Sequence, residues 1–222
     1  MWPHCIAFDF DGTLVDSAPG VLSALAHALT QNGMQAQVAL TTDIIGPPLR
    51  HTLALISGTN QPALLDGLAQ AFKQHYDSES CRLTPPYPGI VHLLDELRRH
   101  ATPLLLVTNK RGLPTRLILS QLSWLSRFVG LYCLDEHPDC ADKAALLTKA
   151  LHSHEQDPAT TPYVGDTEGD AQAAAANGMP MIWAAWGYGG MPAPRHTIAR
   201  TPDELWMLLS SAPPRESSCP AP

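Results

Sequence analysis

Apolar residues fall along this chain in two rhythms. Five short runs are apolar almost throughout: residues 4–9 (HCIAFD), 102–109 (TPLLLVTN), 127–134 (RFVGLYCL), 161–166 (TPYVGD) and 179–186 (MPMIWAAW). Each is too short for an ordinary helix, and most are rich in β-branched or aromatic residues, so they read as strands. Continuous apolarity, rather than alternation, predicts a parallel sheet covered on both faces. Between these runs the spacing changes to three and four. Ile90, Leu93, Leu94 and Leu97 make one helical stripe, and Ala144, Leu147 and Leu151, with Leu146 and Ala150 beside them, make another. Residues 111–126 and 168–177 also read as helices. Strand and helix alternate from residue 85 onward, which predicts an α/β fold with a doubly wound parallel sheet.

The first strand is not followed directly by the second. Residues 16–84 have a purely helical pattern, with a stripe of Val21, Leu22, Leu25, Ala28 and Leu29 and further helices over 49–57 and 62–76. This stretch reads as a small helical bundle, a domain of residues 16–84 inserted after the first strand. Residues 1–15 and 85–212 then form the α/β core, and the Pro-rich LTPPYPG at 83–89 is a hinge back into it. Residues 213–222, polar and Pro-rich, are expected to be a disordered tail.

Composition narrows the classes of function. Of 222 residues, 45% are apolar, enough for a sizeable core. A net charge of −7 argues against a nucleic-acid or anionic-membrane surface. It leaves room for an anionic substrate, because a bound metal ion can dominate the local field. No apolar stretch approaches a membrane span, and the start, MWPHCIAFDF, lacks the basic segment and cleavage-like site of a secretory signal. Five scattered cysteines fit free thiols in a reducing cytoplasm rather than a disulfide frame or a zinc site.

The polar residues that stand out collect where strands end, which is where open α/β sheets bind ligands. Asp9 closes the first run and Asp11 follows two residues later, so an extended backbone points both carboxylates the same way. Gly12 and Thr13 open a turn whose N–H groups are candidates to cradle an anion. Thr108, Asn109 and Lys110 follow the second run, Lys143 follows the loop after the third, and GDTEGD (165–170) supplies Asp166 and Asp170 after the fourth. Four carboxylates crowded together repel unless neutralised. The donors are hard oxygens with no His or Cys among them, which selects Mg²⁺ with a phosphate oxygen beside it.

DFDGTLVDS, VTNK, Lys143 and GDTEGD resemble, in type and order, the four motifs of the haloacid dehalogenase-like phosphohydrolases. The resemblance covers nearly the whole chain. The helical insertion at 16–84 resembles the cap domain placed after the first motif in the phosphoglycolate phosphatase subgroup, and YPGIVHLLDELR (87–98) and IIGPPL (44–49) are also similar to that subgroup. The resemblance implies a Mg²⁺-dependent phosphatase with Asp9 as nucleophile, forming an aspartyl-phosphate. Asp11 would be the acid and base and would also lend its backbone carbonyl to the metal. Asp9, Asp11, Asp166 and Asp170 form the implied metal set, with Asp170 either a ligand or a partner that orients the site. Gly12, Thr13, Thr108, Asn109 and Lys143 are the implied phosphate contacts, and Lys110 is the alternative to Lys143 as the phosphate-facing lysine. Arg50, in the insertion, is a candidate for a second anionic group on the substrate. The loop WGYGG (186–190) either borders the site or is simple turn chemistry, and HSH (152–154) reads as a solvated helix end.

The expected partner is a small phosphorylated metabolite, 2-phosphoglycolate first, with the chain acting as a monomer or homodimer. A phosphosugar mutase, a nucleotidase or pyrophosphatase, and a phospho-accepting receiver are the alternatives.

Overall fold

The computed structural model describes residues 3–190 and 196–210. Six parallel strands form its sheet: β1 (Ile6–Phe8), β2 (Leu104–Thr108), β3 (Gly130–Cys133), β4 (Tyr163–Gly165), β5 (Met181–Ala184) and β6 (Thr197–Ala199). Their order across the sheet is β3-β2-β1-β4-β5-β6. The chain moves outward from β1 in one direction through β2 and β3, and in the other through β4 to β6. The order therefore reverses between β1 and β4, and this crevice is where such sheets place ligands. The fold is the α/β parallel sheet expected, with helices inserted as a cap.

Helices α1 (Ala18–Gln31), α2 (Leu49–Ser57) and α3 (Pro62–Ser78) lie between β1 and β2 in the chain. Helices α4 (Ile90–Arg99), α5 (Gly112–Gln121), α6 (Lys143–Ser153), α7 (Glu168–Ala176) and α8 (Pro202–Ser210) belong to the sheet layer. Alternate residues of each strand feed two different cores, as the period of two requires. Ile6, Phe8, Leu104 and Leu106 join Leu93, Leu97, Ile118 and Leu205 on one face. Ala7, Leu105, Val107 and Tyr163 join Leu146, Leu147 and Ala174 on the other. Both faces are covered, which is why the strands read as unbroken apolar runs. In the inserted helices, Leu25, Ala28, Leu53, Ile56, Leu68 and Phe72 bury a second apolar centre continuous with the first face.

The two chain segments that connect sheet and insertion run side by side. Asp16 N–H donates to Pro85 O at 2.9 Å, and Tyr87 N–H donates to Leu14 O at 3.2 Å. Such pairing fixes the root of the insertion with backbone hydrogen bonds, and the Tyr188 hydroxyl adds to it by donating to Asp16 Oδ1 and accepting the Ala18 N–H, each at 2.9 Å.

The structure adds two elements that the apolar pattern did not yield. Strand β6 is a three-residue edge strand with only Ala199 fully buried, too short for any period to show. Helix α8 carried a usable signal. Thr201 accepts the Glu204 N–H at 3.1 Å, the first half of a T-x-x-E capping box, and Leu205 and Leu209 are buried one turn apart. Helix α5 ends at Gln121 rather than 126. Ser123 takes a positive φ of 58°, and Trp124 N–H turns back to Leu119 O at 2.7 Å. The expected tail at 213–222 lies outside the described residues.

Candidate active site

Asp9 leaves the end of β1, and Asp166 leaves the end of the adjacent β4. Asp9 N–H donates to Val164 O at 2.9 Å, so the two strand ends are in register and their carboxylates share the crevice. Ligand oxygens of Asp9, Asp166 and Asp170 lie within 4.8 Å of one another, all from buried residues. Lys143, the first residue of α6, places its ammonium 3.1 Å from Asp9 Oδ2 and 2.6 Å from Asp170 Oδ1. Asp142 sets that helix start by accepting the Ala145 N–H at 2.9 Å.

Asp170 is saturated. Its Oδ2 accepts from Thr167 N at 3.0 Å, Thr167 Oγ1 at 2.6 Å and Asp166 N at 3.2 Å, and its Oδ1 accepts from Lys143 and from Tyr163 Oη at 3.2 Å. The capping box of α7 thus also grips Lys143. Asp166 accepts the Thr13 hydroxyl at 2.9 Å on Oδ1 and the Tyr188 N–H at 2.8 Å on Oδ2. Asp9 Oδ1 differs from all of these: it is buried and has no hydrogen-bond partner.

Electrostatics mark the same atoms. Burial, opposed by Lys143 and reinforced by the Asp170 charge, raises the Asp9 carboxyl to about 6. Burial, with the Asp170 and Asp9 charges added, raises Asp166 to about 8. Burial acts most strongly on Asp170 too, but the Lys143 ammonium and the hydrogen bonds from Lys143 and Thr167 together outweigh it, and the carboxyl stays below its ordinary value. The Lys143 ammonium pairs with two of these three buried carboxylates, Asp9 and Asp170. An orphaned carboxylate oxygen, a hard-oxygen donor set and uncompensated negative charge suit a small divalent cation. The residues fit such an ion, with Asp9 and Asp166 best placed to hold it.

Two glycine positions let the backbone come this close. Gly12 has φ 79°, and a Cβ there would sit 2.3 Å from Asp166 Oδ2. A Cβ on Gly187 would sit 2.3 Å from the Gly12 carbonyl oxygen. The WGYGG loop accordingly borders the site. Its Tyr188 N–H holds Asp166, and Trp186 Nε1 donates to Thr13 O at 2.9 Å. Its glycine spacing at a strand end was the available sequence signal.

The structure corrects two expectations in this region. Strand β1 stops at Phe8, and the chain turns so that Thr13, Leu14 and Val15 N–H groups all point at Phe10 O. The Asp9 and Asp11 carboxylates therefore part, one to Lys143 and the other to Lys110, so three carboxylates cluster rather than four. The proposed anion cradle is also spent. Gly12 N–H donates to Val15 O at 3.0 Å and Thr13 N–H donates to Phe10 O at 3.3 Å.

A cavity of about 350 Å³ opens beside these residues, with Asp9, Asp11, Thr108 and Lys110 below and Leu25, Ile45, Leu49 and Phe72 of the insertion above. Thr108 is buried, and its hydroxyl accepts the Lys110 N–H at 3.2 Å. Asn109 also lines the cavity and reaches across to the insertion, donating from Nδ2 to Gly46 O at 3.1 Å. Arg50 lines it as well, but its guanidinium is held by Asp66 at 2.5 Å in an exposed pair. Of the two lysines left open by sequence, Lys143 meets Asp9 and Lys110 meets Asp11. His154 of HSH packs its ring edge-on to Tyr132, with 6.0 Å between centroids, at the far end of α6.

Residues 6–184 match the family model described as "Haloacid dehalogenase-like hydrolase". The chain is 34% identical over 189 residues to a protein named phosphoglycolate phosphatase from Xylella fastidiosa, covering 84% of this chain and 82% of that one. Among solved structures it resembles Protein Tyrosine Kinase A of Mycobacterium tuberculosis, with a TM-score of 0.81, 30% identity, and coverage of 93% of this chain and 98% of that one. It also shares its fold with a predicted phosphatase from Clostridium acetobutylicum, with a TM-score of 0.85, 22% identity, and coverage of 96% and 100%.

Proposed function

We propose that this chain, which belongs to the haloacid dehalogenase-like hydrolase family, is a Mg²⁺-dependent phosphatase of small organic phosphate monoesters, with Asp9 as its nucleophile. The observation that carries the reading is Asp9 Oδ1. It is a buried carboxylate oxygen with no partner on the floor of a cavity, next to a lysine and a second carboxylate. Leaving such an atom unpaired costs the fold free energy, so its freedom points to a use outside the fold.

In the first half-reaction, Asp9 Oδ1 bonds to phosphorus as the bond to the leaving oxygen breaks, and Asp11 gives that oxygen a proton. In the second, Asp11 takes a proton from water, the water oxygen bonds to phosphorus, and the bond to Asp9 breaks to release phosphate. Lys143 would balance charge on Asp9 and the transferred group, and the Thr108 hydroxyl would donate to a phosphoryl oxygen. Asp9, Asp166 and the Asp11 carbonyl would hold Mg²⁺, which supplies positive charge against the phosphoryl oxygens. Asp170, already accepting from five donors, orients Lys143 and the 166–167 turn rather than binding the ion.

2-Phosphoglycolate is the first substrate to test, because the name carried by the Xylella relative matches the subgroup that the motifs resemble. The kinase similarity suggests a second outcome, transfer of phosphate to a tyrosine in place of water. A phosphate-release screen over a metabolite panel with Mg²⁺ separates the two readings. Free phosphate from 2-phosphoglycolate supports the first. No release from any monoester, with labelled phosphate passing from ATP to a peptide tyrosine, replaces it with the second.

A further inference from the structure

Three consecutive residues after β2 hold the inserted helices. Asn109 grips Gly46 O, Lys110 reaches Tyr76, and Arg111 pairs with Asp77 at 2.5 and 3.1 Å. The middle contact differs from its neighbours, because Lys110 also touches the chemistry. Its ammonium donates to Asp11 Oδ1 at 3.0 Å, to Asp11 Oδ2 at 3.1 Å and to the Tyr76 hydroxyl at 2.7 Å. The Tyr76 ring also faces the ammonium, 4.7 Å from its centroid. Three N–H bonds meet three oxygens, so a buried ammonium has its donors satisfied only while α3 is seated. Tyr76 itself is 1% exposed and stacks on Phe72, with 5.3 Å between centroids, which fixes where the hydroxyl points.

We infer that Tyr76 is a positioning residue: from the inserted helix α3 it fixes Lys110, and Lys110 in turn fixes the Asp11 carboxylate for the water-activating half-reaction. Both Asp11 oxygens accept from one ammonium, which fixes the plane and direction of the carboxylate. The device ties the second half-reaction to a closed insertion. Water is activated only when the helices that exclude bulk solvent are in place. The inference rests on the phosphatase reading with Asp11 as its base.

The test is Tyr76→Phe, which keeps the ring, its stacking and its face toward Lys110, and removes one oxygen. The substrate is p-nitrophenyl phosphate, whose leaving group needs no proton, so kcat/KM reports formation of the phosphoenzyme without help from Asp11. The expected result is a fall in kcat of about tenfold, the order reported for losing one hydrogen bond to a charged group. KM should fall in parallel, kcat/KM should be unchanged, and a burst of nitrophenolate should precede the slowed steady state. In a Lys110→Met background the same substitution should add no further loss, because Tyr76 acts through that ammonium. An equal fall in kcat and kcat/KM, no change in either, or additive losses in the double variant would overturn the inference. If the unmodified enzyme releases no nitrophenolate with Mg²⁺, the phosphatase reading fails instead, and the two failures are told apart before any variant is made.

Discussion

Behind Asp9 on the cavity floor, the Lys143 side chain is 8% exposed and lies 3.1 Å from Asp9 and 2.6 Å from Asp170, whereas Arg50 of the cavity wall meets Asp66 at 2.5 Å with 52% and 66% of their side chains in solvent. Both are cation–carboxylate pairs at contact distance. The surroundings make them different objects. Water screens the wall pair to a fraction of a kcal/mol, and either side chain can leave at little cost. The floor pairs sit where an unmatched charge has no solvent to turn to, so removing one partner costs about 3–5 kcal/mol. A reaction that always transfers the same phosphoryl group benefits from the fixed floor. A wall of Leu25, Ile45, Leu49 and Phe72 with an exposed ion pair at its rim can change its substrate without disturbing that chemistry.

The largest test of the contrast is Asp9→Asn. Turnover should fall by about a thousandfold or more while the chain still folds cooperatively, because the amide fills the same space and Lys143 keeps Asp170 as its partner. Near-normal phosphate release by that variant would remove Asp9 as nucleophile.

Chelation comes next. EDTA should abolish activity and Mg²⁺ restore it, and the ion should stabilise the floor in a pH-dependent way. Asp9 and Asp166 are raised to about 6 and about 8 from 3.8, so between those values the folded chain binds more protons than the unfolded one. Stability of the metal-free protein from these two groups therefore falls as pH rises through that window. An ion that takes the ionised pair should raise Tm more at pH 8 than at pH 5. Equal gains at the two pH values, by calorimetry, would place the ion elsewhere.

Smaller effects separate floor from wall directly. Lys143→Met should cost about 3 kcal/mol in urea unfolding of the metal-free protein, because two buried carboxylates lose their cation. Arg50→Ala should cost less than about 1 kcal/mol. Its catalytic effect should be a rise in KM of several-fold for a phosphate ester that also carries a carboxylate, with none for a plain aryl phosphate. Comparable losses of stability in the two variants would erase the distinction between the regions.

Much of the α/β fold was legible because its signals are local. Apolar runs of strand length and stripes at three and four located five strands, together with α1 through α7, whereas β6 was too short to show a period. The acidic and hydroxyl residues at the strand ends were legible for the same reason. A residue just past a buried strand must emerge at the sheet edge, whatever the rest of the chain does. The pairings were not legible. Two aspartates two residues apart look equivalent in sequence, yet the turn at Phe10 sends one to Lys143 and the other to Lys110. Tyr76 sits in an apolar helical stripe with nothing to set it apart from core.

The sequence by itself determined which chemical groups this protein brings to the edge of its sheet, since the strand pattern and the residues that follow it are properties of short segments. Only the tertiary structure decided which lysine serves which aspartate, that Gly12 and Thr13 have no N–H to spare, and that Tyr76 of α3 reaches the lysine that holds Asp11. Those are distances between residues such as 11 and 110, 76 and 110, or 166 and 188, far apart along the chain. They are set by how helices and strands pack against one another, and no local periodicity encodes them.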